Sequence, residues 1–239
     1  MKAIILSAGK GTRLGNLTKE TPKALLPISG KPIIERIILW LIDNGINNIG
    51  INLHTFSGQI KSFLDDNKTP NTNIHLEFEE NLSGTAGAIK KFQKWLVGEE
   101  NFIVIYGDIL TNQNLSPLIN KHLQERAFAT LFVHKRKISN SFIQTNQDGR
   151  ITSFIERPED ALLKKLLESH SGDFLVNSGI QVLNRQVLDY IIQNNSFDLP
   201  KDVYIPNIDD KLIYTKKLTG LRVAVDSKER YKLAEELFK

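Results

Sequence analysis

A short apolar run, Ala3-Ile4-Ile5-Leu6, leads directly into Ser7-Ala8-Gly9-Lys10-Gly11-Thr12-Arg13-Leu14, and this junction constrains the fold more than any other part of the chain. An apolar strand that ends in a glycine turn is the usual entry to a βα unit. Glycines at 9 and 11 let the backbone turn sharply and let a ligand approach closely. Backbone N–H groups in such a turn converge on one concavity and bind phosphate oxygens. Arg13 adds a fixed positive charge. Lys23, within Thr21-Pro22-Lys23-Ala24-Leu25-Leu26-Pro27, adds a second. Strand, glycine turn and two cations together point to a nucleoside triphosphate held by its phosphates. The simpler alternative is an ordinary βα turn with surface cations, and the coincidence of two separate motifs weighs against it.

Two commoner glycine loops are excluded by spacing. A P-loop requires G-x-x-x-x-G-K-[ST], which Gly9-Lys10-Gly11-Thr12 does not supply. The dinucleotide fingerprint requires G-x-G-x-x-G. Leu14 stands where its third glycine belongs, and Gly15 comes one place late.

Strand-like runs alternate with helical patterns over the first half, which predicts βαβ units and a parallel sheet. Pro32 opens a helix at a favourable first-turn position. Ile33, Ile34, Ile37, Ile38, Leu41 and Ile42 follow at helical spacing, and Asn44-Gly45 ends it. Residues 49–53 read as the second strand, 60–64 as a short helix, and 74–78 as a half-exposed strand. Thr85 is expected to cap a helix running to Trp95. Residues 102–106 form a nearly all-apolar strand that stops at Gly107-Asp108. The second half changes character. Strands are expected over 127–134, 142–145, 151–155 and 174–183, with a hairpin at Asp148-Gly149. A helix is expected over 187–192. A final pair of strands, 213–218 and 221–225, precedes a terminal helix capped by Ser227. No internal repeat and no low-complexity linker interrupts the chain. One domain over 1–239 is expected, with 1–110 as a nucleotide-binding half and 111–239 as a half for a second substrate.

Composition narrows the functional class. The 239 residues are 41% hydrophobic and 24% charged, with a formal net charge of +4, as in ordinary globular chains. No run of like charges suggests nucleic acid, so small anionic ligands better explain the cations. The absence of cysteine excludes disulfides and thiolate metal sites. The apolar start is too short for a signal peptide, and no stretch approaches a membrane span. The expected location is the cytoplasm, with no membrane partner. The oligomeric state is left open, a homo-oligomer included.

Taken together, the sequence resembles the sugar-1-phosphate nucleotidyltransferases, the nucleoside-diphosphate-sugar pyrophosphorylases. The family signature is L-x-x-G-x-G-T-R-L followed by P-K-x-L-x-P, here residues 6–14 and 22–27. Further matches follow in order: Gly84-Thr85-Ala86-Gly87, Tyr106-Gly107-Asp108, Glu156-Arg157-Pro158 and Asn177-Ser178-Gly179. The resemblance covers essentially the whole chain, and its flavour is that of mannose-1-phosphate and heptose-1-phosphate guanylyltransferases. It implies a Rossmann-like mixed α/β fold: a mostly parallel central sheet flanked by helices, with a small antiparallel addition for the sugar. It implies an Mg2+-dependent reaction of an NTP with a sugar 1-phosphate. No hexapeptide extension follows, so no second acyltransferase activity is expected.

The resemblance also assigns roles. Arg13, Lys23 and Asp108 are the expected catalytic set. Leu6, Ala8, Gly9, Gly11, Thr12, Arg13, Lys23, Glu79, Gly84 and Thr85 are expected around the nucleotide. Glu79 lies where the family reads the base, and a carboxylate there suits guanine or cytosine. The bland alternative for Glu79 is the exposed end of a strand. Glu156, Arg157, Asn177 and Gly179 are expected at the sugar phosphate. The family usually carries lysine at the position of Arg157. Asp108 is expected to hold Mg2+. The family's second carboxylate falls on Ala224, and Asp226, two residues on, either replaces it or caps the terminal helix. A non-catalytic nucleotide- or sugar-phosphate-sensing subunit is the competing function, and Ala224 is its support.

Overall fold

The computed structural model describes residues 1–9, 11–137, 139–169, 172–192 and 197–239. Lys10 of the glycine turn lies outside the described residues. The first half holds β1 (Lys2–Leu6), β2 (Pro27–Ile28), β3 (Lys31–Pro32), α1 (Ile33–Asp43), β4 (Asn48–Leu53), α2 (Ser57–Asp66), β5 (Asn73–Phe78), α3 (Gly84–Lys91), β6 (Asn101–Tyr106) and β7 (Ile109–Thr111). The second holds α4 (Ser116–Gln124), β8 (Ala129–Arg136), β9 (Ser141–Thr145), β10 (Ile151–Glu156), α5 (Asp160–Ser169), β11 (Phe174–Asn184), β12 (Ile213–Lys217), β13 (Arg222–Ala224) and α6 (Lys228–Leu237).

Strands β5, β4, β1 and β6 lie side by side and parallel, as the βαβ alternation predicts. Successive residues of β1 face opposite sides of the sheet. Ala3 and Ile5 join the core that includes α1, while Ile4 joins the core that includes α3. Both faces are therefore covered, which is why β1 reads as unbroken apolar sequence. Helix α1 buries Ile33, Ile34, Ile37, Ile38 and Leu41. It stops where Gly45, at φ 79°, lets Gly45 N–H reach the Ile42 carbonyl and Ile46 N–H the Leu41 carbonyl.

Register sets the position of the site. Leu6 pairs with Asn52 and Tyr106, and Leu53 pairs with Phe78. The carboxyl ends of four parallel strands thus stop level with one another. The segments after them emerge on one edge, where open α/β sheets place their ligands.

The second half extends this sheet rather than standing beside it. Residues 180–184 of β11 pair antiparallel with β6, β8 pairs antiparallel with both halves of β11, and Leu175 in its first half pairs with β9. Its register shifts between Asn177 and Gln181, an irregularity that bends the strand. β10 closes the edge on β9, and β12 runs parallel to β8.

Several expectations need correction. The strands near 213–218 and 221–225 do not pair with each other: β12 joins the main sheet, and β13 pairs antiparallel with β7. Helix α3 ends at Lys91, not Trp95. The chain there tightens into consecutive turns that fully bury Phe92, edge-on to Trp95. Ser83, not Thr85, occupies the cap position of α3. The segment expected as a helix over 187–192 is a 3-10 turn, Arg185–Tyr190, opened by Asn184, whose Oδ1 accepts from Gln186 N–H. Helices α4 and α5 and the short strands β2, β3 and β7 lie outside the pattern reading. The hairpin at Asp148-Gly149 and the cap at Ser227 stand as expected. Among the described residues, no helix is long and apolar enough to cross a membrane.

Candidate active site

Two clefts open on the carboxyl edge of the parallel strands, and Thr85, Tyr106 and Asp108 line both. The first has a volume of about 280 Å3 and the second about 330 Å3.

The first cleft is built on the glycine turn. Leu6, Ala8, Gly9, Lys23, Glu79, Gly84, Thr85 and Asp108 line it, as the sequence predicts. Gly11, Thr12 and Arg13 stand off it. Gly11 has φ 65°, a left-handed backbone that disfavours any side chain, and a Cβ there would sit 3.1 Å from the Cβ of Lys23. The glycine thus lets the turn fold down against Lys23. Thr18 Oγ1 locks the same turn by donating to the Gly11 carbonyl at 3.0 Å. Gly107 answers a second close approach: a Cβ there would lie 2.7 Å from the Leu6 carbonyl oxygen. This lets β6 run on against β1 and delivers Asp108 to the cleft mouth. Lys23 Nζ then donates to Asp108 Oδ2 at 2.7 Å, with Lys23 only 15% exposed.

Asn52 is a site residue that sequence reasoning missed. It is the last residue but one of β4, the one polar side chain in Ile49-Gly50-Ile51-Asn52-Leu53. Its Oδ1 accepts from Ser7 N–H at 2.6 Å, and its Nδ2 donates to Glu79 Oε1 at 2.5 Å. Glu79 Oε2 accepts from the N–H and hydroxyl of Ser83. Glu79 is 4% exposed, so it is not the exposed end of a strand. Four hydrogen bonds through Asn52 and Glu79 tie the start of the glycine turn to the approach to α3. The first turn of α3 is itself occupied: Ala86 N–H donates to the Phe197 carbonyl, and Thr85 Oγ1 accepts from Leu199 N–H. Thr85 therefore fastens the 197–199 segment instead of capping its own helix.

The second cleft gathers Glu156, Arg157, Asn177, Gly179, Asp108 and Asp226, the residues the sequence predicts, from four separate segments. Arg157 holds a left-handed backbone at φ 49°. Its guanidinium pairs with Asp198, and its Nε lies 3.4 Å from Glu156 Oε1. Burial opposes the charge on Arg157, but Asp198 and Glu156 outweigh it and hold its pKa above the ordinary value. Burial pushes the Glu156 carboxyl up, and the Asp198 charge adds to this against Arg157. The Tyr106 hydroxyl is raised in the same way, by burial and then by Asp198 and Glu156, and stays protonated. Asn177 Oδ1 accepts from Gly179 N–H at 2.9 Å, within the irregular stretch of β11. That stretch is both a strand irregularity and a cleft wall.

Asp226 lies between two cations, with Arg13 at 3.7 Å and Arg230 at 3.5 Å. It does not cap α6, because Ser227 Oγ accepts from Arg230 N–H at that position. Ala224 lines the second cleft as a bare methyl. Sequence reasoning also missed His134, Arg136, Asp198 and Arg222, which line the same cleft. Their partners are distant in sequence, so no local motif marks them. Burial and then the arginines around it hold His134 down at about 4, so it is neutral, and its Nδ1 shares a hydrogen bond with Ser178 Oγ.

Among the described residues, no three Asp, Glu or His side chains group as a metal site. A magnesium ion needs few protein carboxylates when phosphates and water complete its shell. Asp108 fits that requirement: Lys23 takes only its Oδ2, and the side chain faces both clefts.

Comparison with known proteins identifies the family and the fold. Residues 2–208 match the family model described as nucleotidyl transferase. The chain is 30% identical over 228 residues to a UTP–glucose-1-phosphate uridylyltransferase of Synechocystis, covering 89% of this chain and 56% of that protein. It is 31% identical over 222 residues to a probable glucose-1-phosphate cytidylyltransferase of Bacillus subtilis, covering 84% of this chain and 79% of that protein. The chain thus spans little more than half of the Synechocystis protein. A crystal structure of HddC from Yersinia pseudotuberculosis complexed with GMP-PN superposes with a TM-score of 0.82 at 23% identity, covering 100% of this chain and 99% of that one. At that identity the likeness speaks for the fold.

Proposed function

The chain belongs to the nucleotidyl transferase family, and from that premise we propose that it joins a sugar 1-phosphate to an NTP, releasing pyrophosphate and forming an NDP-sugar. The observation that carries this reading is the position of Asp108, on the wall common to the two clefts and paired with Lys23. The first cleft takes the nucleotide and the second the sugar phosphate. The named relatives agree on sugar 1-phosphates and differ in the base.

The second pKa of a phosphate monoester is about 6, so the attacking oxygen is already anionic and needs no general base. The barrier is repulsion between two polyanions and charge growing on the departing pyrophosphate. Catalysis then comes from cations and alignment. The backbone of the glycine turn cradles the triphosphate, and Lys23 supplies a point charge beside it. Arg13, exposed and held by Asp226, swings onto the outer phosphates. Asp108 would hold Mg2+, which when bound neutralises phosphate oxygens of both substrates. Glu156 and Asn177 meet sugar hydroxyls, Gly179 allows close approach, and Arg157 faces the sugar phosphate from the rim.

Glu79 supports a preference for GTP. Its carboxylate already accepts from Asn52 and twice from Ser83, and the remaining lone pair on Oε1 is what it can offer the N1–H or amino group of guanine. The test is pyrophosphate release with GTP, CTP, UTP and dTTP, each against several sugar 1-phosphates, with Mg2+ and with EDTA. Metal-dependent release that is fastest with GTP is expected. Fastest release with UTP or dTTP removes the role given to Glu79. No release with any pair leaves the sensing-subunit reading standing.

A further inference from the structure

In and around the second cleft six cations, Lys23, Arg13, Arg230, Arg157, Arg136 and Arg222, stand against four carboxylates. Asp108 is paired with Lys23, Asp226 with Arg13 and Arg230, and both Glu156 and Asp198 with Arg157. Two guanidiniums remain. Among the described residues, neither Arg136 nor Arg222 has a carboxylate within ion-pair distance, and both line the cleft.

Their placement is fixed by the sheet. Arg222 and Ala224 are two apart on β13 and so face the same side. The methyl of Ala224 leaves room on that side, and both residues line the cleft. Among the described residues, Arg222 makes one hydrogen bond, Nε donating to the Ser178 carbonyl at 3.0 Å, and its terminal NH2 groups make none. The Ser178 hydroxyl meets His134 Nδ1 at 2.9 Å, and Arg136 lies two residues beyond His134 on β8. Strands β8, β11 and β13 thereby bring the two arginines to one wall. The cost of holding them there is visible. Burial, with Arg230 and Arg136 adding to it, pushes Arg222 down to about 10 although Asp108 opposes the shift. Burial and Arg230 lower Arg136 as well. Asp108 and Asp226 act on these charges only from beyond ion-pair distance, so two like charges in a half-buried cleft leave room for an anion that contacts both directly.

We propose that Arg136 and Arg222 form a phosphate clamp that takes the phosphoryl group of a phosphate monoester in the second cleft and sets it beside Asp108. The charges match, because a phosphate monoester carries about −1.5 to −2 near neutral pH. The shape matches as well, because a guanidinium fork presents paired N–H groups to phosphate oxygens. The assignment rests on the reading of the second cleft as the sugar-phosphate cleft, and it adds residues that no contiguous motif contains. The same chemistry would also bind a phosphate of the nucleotide, so the test must separate the two sources.

Calorimetric titration of the full chain, free of divalent metal, separates them. One titrant is glucose 1-phosphate and the other a non-hydrolysable GTP analogue. Arg136→Gln and Arg222→Gln are each expected to weaken glucose 1-phosphate binding roughly 10- to 100-fold, as for loss of a charge-assisted hydrogen bond. Binding of the GTP analogue should stay within about threefold. Arg222→Lys should restore part of the loss, since it keeps the charge and gives up the fork. Among the described residues the Arg136 side chain makes no hydrogen bond, so Arg136→Gln reads the clamp even where Arg222→Gln melts early. Unchanged glucose 1-phosphate binding in Arg136→Gln, equal losses for both ligands, or no monoester binding by the parent protein would overturn the proposal. Because the readout is binding, failure of the pyrophosphate assay is a separate result.

Discussion

The two clefts share a wall but meet their ligands by different means. The first relies on backbone. Its glycine turn, the close approach at Gly107 and the Asn52–Glu79 bonds fix main-chain groups, and Lys23, half-buried, is the one cation among its described lining residues. The second relies on side-chain charge. Arg136, Arg157 and Arg222 arrive from three distant segments and line one cavity with four carboxylates. A backbone cradle must be written in consecutive residues, because neighbouring φ and ψ angles build it. A guanidinium cluster needs only that strands bring its members together. The first cleft therefore leaves a compact motif, and the second leaves scattered arginines.

The largest expected effect falls where the clefts meet. Asp108→Asn should lower turnover about 10²- to 10³-fold, the scale for removing one electrostatic stabiliser of a charged transition state. Circular dichroism should be unchanged, and metal-free binding of each substrate should be retained. Turnover within a few-fold of the parent protein would break the comparison at its common wall. A smaller effect is expected at Asp226. Arg13 is 79% exposed, and exposed ion pairs contribute about 0–1 kcal/mol. Asp226→Ala should weaken NTP binding by less than about tenfold and leave the Mg2+ midpoint of the reaction in place. A raised Mg2+ midpoint would instead make Asp226 the substitute for the carboxylate missing at Ala224.

How much could be read from sequence follows the same division. The parallel half was legible because β1, β4 and β6 are buried on both faces and α1 repeats its apolar residues at helical spacing. Asp108 was legible from its place behind an apolar strand. Asn52 was not assigned, although one polar residue near the end of an apolar strand is a usable signal. Thr85 was read as a cap because its local sequence suits one; its hydroxyl is drawn instead to Leu199, 114 residues away. The pairing of β13 with β7, and hence the delivery of Arg222 to the cleft, depends on contacts across more than a hundred residues. Local pattern carries no trace of it. The family's motif spacing placed Glu156, Arg157, Asn177 and Gly179 in one cleft, but the pairing of Arg157 with Asp198 is again a long-range event.

The claim that each cleft holds one substrate is tested most directly by hydrogen–deuterium exchange with each ligand added separately. A non-hydrolysable GTP analogue should slow exchange at residues 7–14 and 79–87. Glucose 1-phosphate should slow it at 134–141, 176–179 and 222–226, and leave the glycine turn unchanged. Protection of the same segments by both ligands, or of neither set by either, would contradict the account.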